Sequence, residues 1–302
     1  MNILVTGANG QLGMELRALS KGSAHRYIFS DINACSGQET VYLDITDERA
    51  VDITARSEKV SLIINCAAYN NVAGAEKDLS FADALNHKAP AILAGVAAST
   101  GATLIHFSSD YVFGGSGNTP LPETAAAEPL GVYGATKLKG EKAIERSGCK
   151  YLIFRTAWLY SPYGKNFLKT TLDITAARPT MQVVCDQLGS PTYAADLAGF
   201  ILGIIDKGQL DRTGLYHYTG EGICSWYDLA AYICSLSGHD CAVIPCRSGD
   251  YPSPARRPAY SVLDKTLVKK TFGVTLPHWT QSVRACLDRM GQLDRSSFGR
   301  KI

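Results

Sequence analysis

Ile3-Leu4-Val5-Thr6-Gly7-Ala8-Asn9-Gly10-Gln11-Leu12-Gly13 runs an apolar strand into a glycine-rich turn and then into a helix-like segment. Free backbone N–H groups and the positive end of a helix at such a point make a seat for a pyrophosphate. Gly7, Gly10 and Gly13 suit that seat because a Cβ would block the turn or hold a phosphate away. The spacing is G-x-x-G-x-x-G rather than G-x-G-x-x-G, so taken alone the loop also reads as a plain turn. The segments that follow decide between the two. Apolar strand-like runs at Ile3–Thr6, Tyr27–Ser30, Val41–Leu43, Leu62–Asn65, Thr103–Phe107 and Leu152–Arg155 alternate with helical spacing such as Ala82–Ser99. That order predicts an α/β fold, a doubly wound parallel sheet of Rossmann type covered by helices on both faces.

Beyond Trp158 the texture changes to turn-rich pieces, among them Ser161-Pro162-Tyr163-Gly164 and the Pro-rich stretch from Tyr251 to Pro258. A smaller, discontinuous substrate-binding lobe is expected here, formed by residues 163–178 and 218–302. The dinucleotide-binding domain then takes 1–162 and 179–217. The chain has 302 residues, 46% of them hydrophobic, with 30 Lys plus Arg against 28 Asp plus Glu. No block of like charge marks nucleic acid as a partner, and no apolar run is long enough to span a bilayer. The nine scattered cysteines contain no Cys-x-x-Cys pair and read as reduced. With no signal-peptide pattern at Met1, the expected location is the cytoplasm.

Asp31 ends the second strand about 20 residues after the glycine loop, where a carboxylate can accept from an adenosine ribose. It reads equally as a solvated loop residue. No arginine follows it, so NADH should be handled at least as well as NADPH. Asp44 closes the third strand near an adenine edge, or else serves as a helix N-terminal acid.

Tyr133-Gly134-Ala135-Thr136-Lys137 places a phenol and an ammonium on one helical face. A nearby ammonium lowers a tyrosine pKa and suits a general acid for a carbonyl receiving a hydride. Among fifteen tyrosines, chance alone yields about one such pair, so context must support it. The context is Ser108-Ser109-Asp110-Tyr111, directly after the Thr103–Phe107 strand. There the Ser109 hydroxyl can hydrogen-bond the oxygen that Tyr133 protonates, with strand-end turn residue as its plainer reading. Phe107 falls on the cofactor side of this point and Tyr111 on the substrate side.

The chain resembles the extended short-chain dehydrogenase/reductase family, in particular its members that reduce nucleotide-linked 4-keto sugars. The resemblance rests on Gly7 to Gly13, Asn65-Cys66-Ala67-Ala68-Tyr69, Ser109-Asp110-Tyr111-Val112-Phe113 and Val132 to Glu141. It continues through Phe154-Arg155-Thr156-Ala157-Trp158-Leu159-Tyr160, Asp186 to Thr192 and Arg256-Arg257-Pro258. It implies hydride transfer from NADPH or NADH to the C4 ketone of dTDP-4-dehydro-6-deoxy-L-mannose, giving dTDP-L-rhamnose. It further implies that Gly10, Gln11 and Leu12 hold the pyrophosphate, that Asp44 and Ile45 meet the adenine, and that Ala67, Ala68 and Tyr69 line the nicotinamide half. Ser109, Asp110 and Trp158 would touch the sugar and Arg257 the diphosphate. Tyr133 would give the proton and Lys137 would bind the nicotinamide ribose.

Three positions depart from the family pattern. Val72-Ala73-Gly74-Ala75-Glu76 stands where Val-Asp-Lys-Ala-Glu is usual, Gly114 replaces an aspartate, and Ala195 stands where some members carry a carboxylate, with Asp196 next to it. The last gives no support to the magnesium that bridges some relatives into dimers, although a homodimer is compatible with the sequence. Two other readings stay open: a nucleotide-sugar 4-epimerase that returns the hydride to its own substrate, and a regulatory subunit that keeps the fold and reduces nothing. A 4,6-dehydratase would need an Asp-Glu pair after the Ser, where this chain has Asp110-Tyr111.

Overall fold

The computed structural model describes residues 1–251 and 254–294. Residues 252–253 of the Pro-rich stretch and the end of the expected lobe, 295–302, lie outside the described residues. Strands β1 (Asn2–Thr6), β2 (Arg26–Asp31), β3 (Val41–Tyr42), β4 (Leu62–Asn65), β5 (Thr103–Ser109) and β6 (Lys150–Thr156) join Gly214–His217 in one seven-stranded sheet. Its order is Gly214–His217, β6, β5, β4, β1, β2, β3, with every pair parallel. The six expected strands are all present, each within two residues of its expected ends.

β4 and β5 are buried along their whole length, as a parallel sheet covered on both faces requires. The side-chain alternation of each strand feeds two cores. Ile3, Val5, Leu62 and Ile64 pack under helices Gln11–Leu19 and Ala194–Asp206, through Leu12, Leu16, Leu197 and Ile201. Leu4 and Ile63 face the other way, against Val51, Leu93, Ala97 and Ile144. The connection reverses between β1 and β4, so the loops leaving these neighbours part and open a crevice at their carboxyl ends.

The helix expected over Ala82–Ser99 is instead Leu79–Asp83, a π turn at Ala84–Lys88 and a helix at Ala89–Thr100. The π turn carries Asn86, whose Oδ1 accepts from Tyr69 N at 2.9 Å while Nδ2 donates to Tyr69 O at 3.0 Å and Thr136 Oγ1 at 3.3 Å. One buried amide thus ties the loop after β4 to the helix Val132–Arg146, which carries Tyr133.

The smaller lobe has its own core of Leu168, Leu172, Leu229, Ile233, Val283 and Leu287. The stretch 179–217, assigned from the sequence to the dinucleotide-binding domain, divides. Thr180–Val184 pairs with Ala242–Cys246, Leu188–Gly189 with Cys224–Ser225, and Thr192–Tyr193 with Leu159–Tyr160, all outside the main sheet. Only from Ala194 onward does it rejoin the sheet layer. Conversely, Val268 and Phe272 of the helix Thr266–Phe272 pack into the sheet's core beside Phe154 and Phe200. All nine cysteines are free thiols. Among the described residues no helix is long and apolar enough to cross a membrane.

Candidate active site

A cleft of about 500 Å³ opens over the carboxyl ends of β1, β4, β5 and β6 and reaches the smaller lobe. Its floor begins at the glycine loop. Gly7 has φ +64, and a Cβ there would stand 2.5 Å from Ala67 N, so the loops after β1 and β4 meet backbone to backbone. Gly10 is the N-cap of Gln11–Leu19 with no side-chain cap, and no acid sits in the first turn, which leaves the helix start free for an anion. A bare helix start beside a seat that only glycine can form fits a dinucleotide pyrophosphate. Leu12 lines the cleft from the core below, while Gln11 Oε1 accepts from Asn166 Nδ2 at 2.9 Å and Ser161 Oγ at 3.3 Å. Gln11 therefore links the phosphate loop to the chain beyond β6.

Asp31 and Asp44 are not among the residues that line the cleft; Asp31 accepts from Asn9 N at 3.1 Å and Asn33 N at 3.0 Å. Asp44 closes a local turn, accepting from Thr46 N at 2.9 Å and Thr46 Oγ1 at 2.7 Å. The Ile45 side chain is buried in the core, and Ile45 is not among the residues that line the cleft. The arginine absent from the sequence after Asp31 arrives from elsewhere. Arg17 lies over the Phe29 ring at 4.2 Å and donates to Glu39 O and Thr40 Oγ1, and Asn9 connects this group to Asp31.

Ala67 and Ala68 line the cleft. Tyr69 does not: its ring meets Phe81 edge-on at 5.2 Å, and the neighbouring Asn70 takes the lining position. Phe107 lines it from the end of β5.

Ser109 ends β5 and caps the short turn Asp110–Val112, accepting from Tyr111 N at 3.1 Å and donating to Asp110 Oδ1 at 3.0 Å. Tyr133 stands in the first turn of its helix, which presses so closely on this turn that a Cβ on Gly134 would collide with the Tyr111 carbonyl. The phenol shares a hydrogen bond with Ser109, reaches Asn70 Oδ1 at 3.5 Å and meets the Tyr111 ring edge-on at 5.6 Å. Ser109, Tyr133 and Lys137 therefore converge at one wall of the cleft.

The electrostatics differ from the expectation in one respect. Burial raises the Tyr133 pKa, the Ser109 hydrogen bond opposes it, and the Asp110 and Tyr111 charges add to the rise. Lys137 is not the opposing group, because its ammonium donates to Phe107 O at 2.5 Å. Burial pulls Lys137 down to about 8, with Glu141 one turn on resisting. Glu141 in turn makes a buried two-pronged ion pair with Arg155 of β6, at 2.9 and 2.7 Å, which fixes the helix to the sheet. Desolvation pushes Asp110 up to about 6 against the Ser261 and Ser109 hydroxyls.

The far wall carries Tyr111, Trp158 and Arg257. Arg257 is exposed and hydrogen-bonds the Tyr111 phenol. Trp158 has φ +49, a left-handed conformation that costs an L-residue about 1–2 kcal/mol. Among the lining residues that sequence reasoning missed are Asn70, Lys165, Asn166 and Trp226. Lys165 and Asn166 follow a segment read only as a turn, and no local pattern brings Trp226 to residue 158. A second groove of about 550 Å³, between Leu19, Phe200 and Phe272, holds none of the predicted residues. Among the described residues no group of three or more His, Cys, Asp or Glu could hold a metal ion, and Asp196 is engaged by Ser282 Oγ at 2.5 Å.

The model of the family described as RmlD substrate binding domain matches residues 1–292. The chain is 37% identical over 302 residues to dTDP-4-dehydrorhamnose reductase of Escherichia coli K12, covering 96% of this chain and 98% of that protein. It is similar to the crystal structure of a dTDP-4-dehydrorhamnose reductase from Clostridium acetobutylicum, with a TM-score of 0.90, 39% identity and coverage of 96% and 100%. It is also similar to the Bacillus anthracis dTDP-4-dehydrorhamnose reductase in complex with NADP, with a TM-score of 0.88, 32% identity and coverage of 95% and 99%.

Proposed function

We propose that this chain, which belongs to the RmlD substrate binding domain family, reduces the C4 ketone of dTDP-4-dehydro-6-deoxy-L-mannose to dTDP-L-rhamnose. The observation that carries the reading is the convergence of Ser109, Tyr133 and Lys137 on the wall of a cleft whose other end is a pyrophosphate seat. When bound, NADPH or NADH supplies the hydride. Gly7, Gly10 and the start of the Gln11–Leu19 helix hold the diphosphate, Asp31 and Asp44 face the adenosine, and Ala67, Ala68 and Phe107 line the nicotinamide half.

The protein's part is positional and protic. Ser109 and Tyr133 offer two hydroxyls to the ketone oxygen, and the Tyr133 phenol gives it the proton as negative charge develops there. A phenol whose pKa is raised by burial stays protonated until that moment. Lys137 supplies positive charge at the end of β5 and would bind the nicotinamide ribose in place of its present carbonyl partner. Asp110 and Trp158 hold the hexose, and Arg257 and Lys165 offer cations to the nucleotide diphosphate. In this reading the sheet-bearing part serves the cofactor, the smaller lobe serves the sugar, and the enzyme works in the cytoplasm.

Purified protein mixed with dTDP-4-dehydro-6-deoxy-L-mannose and reduced nicotinamide cofactor tests it by absorbance. Stoichiometric loss of NADPH or NADH is expected. Interconversion of sugars with no net cofactor loss would favour the epimerase, and inertness with both cofactors would favour the regulatory subunit.

A further inference from the structure

We propose that Gly189 and Trp226 are positioning residues for Trp158, and that together they fix an indole platform which sets how the sugar lies against Tyr133. The proposal rests on reading the cleft as a sugar-nucleotide site. The Trp158 indole stacks on Trp226 with ring centres 3.6 Å apart and planes 10° from parallel. It also presses on Gly189, where a Cβ would stand 2.7–2.9 Å from indole atoms Cε2, Cζ2 and Nε1. No side chain larger than hydrogen fits position 189 with the indole where it is.

These two contacts are built as one unit. Gly189 pairs with Cys224 and Leu188 with Ser225 in a short antiparallel ladder, and Ser225 is the N-cap of the helix that Trp226 begins. Ser225 and Asp228 form a reciprocal capping box, which fixes the direction in which Trp226 leaves the ladder. Phe167 supports the second indole edge-on at 4.7 Å. The ladder therefore holds both supports of Trp158 at a set separation, and the left-handed backbone at Trp158 is kept by its surroundings rather than by local preference. Both indoles line the cleft that Ser109 and Tyr133 also line. A ring that shifts by about 1 Å carries the reacting carbon out of line, at a cost on the order of 100-fold.

A purely structural role would lower stability without separating the two substrates. A positioning role separates them. Gly189→Ala is expected to lower kcat/KM for the sugar nucleotide by roughly tenfold to 100-fold, while NADPH binding measured by nicotinamide fluorescence stays within about twofold of wild type. Trp226→Phe and Trp226→Ala form a second pair, guarding against an unstable Gly189→Ala. Phe, which can still stack, should retain most sugar turnover, and Ala should lose it to the same degree as Gly189→Ala.

Wild-type sugar kinetics in either Gly189→Ala or Trp226→Ala would overturn the proposal. A wild type that binds NADPH yet turns over no 4-keto sugar nucleotide would contradict the functional reading instead.

Discussion

The two ends of the cleft are held by different means. At the glycine-loop end, backbone lies on backbone: Gly7 against Ala67, a bare helix start, and the four-residue turn Gly7–Gly10. At the opposite end, side chains from Tyr111, Trp158, Trp226 and Arg257 meet across long stretches of sequence and are held by rings and a two-residue ladder. The first arrangement is local and is written in consecutive residues. The second exists only once the smaller lobe has folded. It follows that a change at one end should disturb one substrate and spare the other.

Gly7→Ala should give the largest break. It puts a Cβ into the Ala67 backbone and forces a left-handed alanine, so NADPH affinity should fall by roughly 100-fold and stability by about 2 kcal/mol, read by fluorescence titration and thermal melting. The same variant should leave dTDP binding nearly intact if the ends are independent. The Lys137 charge comes next. Burial holds its pKa below the ordinary lysine value, so the ammonium is lost as pH rises through about 8. Activity should then fall about tenfold per pH unit above that point, as a single titration requires, and a flat alkaline profile to pH 10 would remove Lys137 from the catalytic account. Trp158→Ala probes the opposite end and should raise KM for the sugar nucleotide by roughly tenfold, with NADPH affinity unchanged. Arg17→Ala should have the smallest effect, a loss of about threefold in affinity for NADPH over NADH, because its guanidinium lies near Asp31 where a 2′-phosphate would add charge.

The same contrast explains what could be read before folding. Strand runs such as Leu62–Asn65 and the glycine loop carry their structure in local pattern, and β1 to β6 follow it closely. The π turn at Ala84–Lys88 does not, because no local residue pattern announces the wider turn that carries Asn86. Arg17 was missed because its approach to Asp31 runs through Asn9 and Thr40 rather than through the residues after β2. Trp226 was missed because stacking on Trp158 depends on a ladder between residues 188–189 and 224–225 that no periodicity announces. The Tyr133 and Lys137 pair was legible, but its electrostatics were not. The spacing places both groups on one face, whereas the Phe107 carbonyl decides where the ammonium points.

The central claim is that Tyr133 gives the proton as the ketone is reduced, and single-turnover kinetics of Tyr133→Phe test it most directly. With NADPH bound and dTDP-4-dehydro-6-deoxy-L-mannose added, the rate of nicotinamide oxidation should fall by about 100-fold to 10,000-fold while the affinities for both substrates stay near those of wild type. A Tyr133→Phe protein that oxidises NADPH at the wild-type rate would contradict the account.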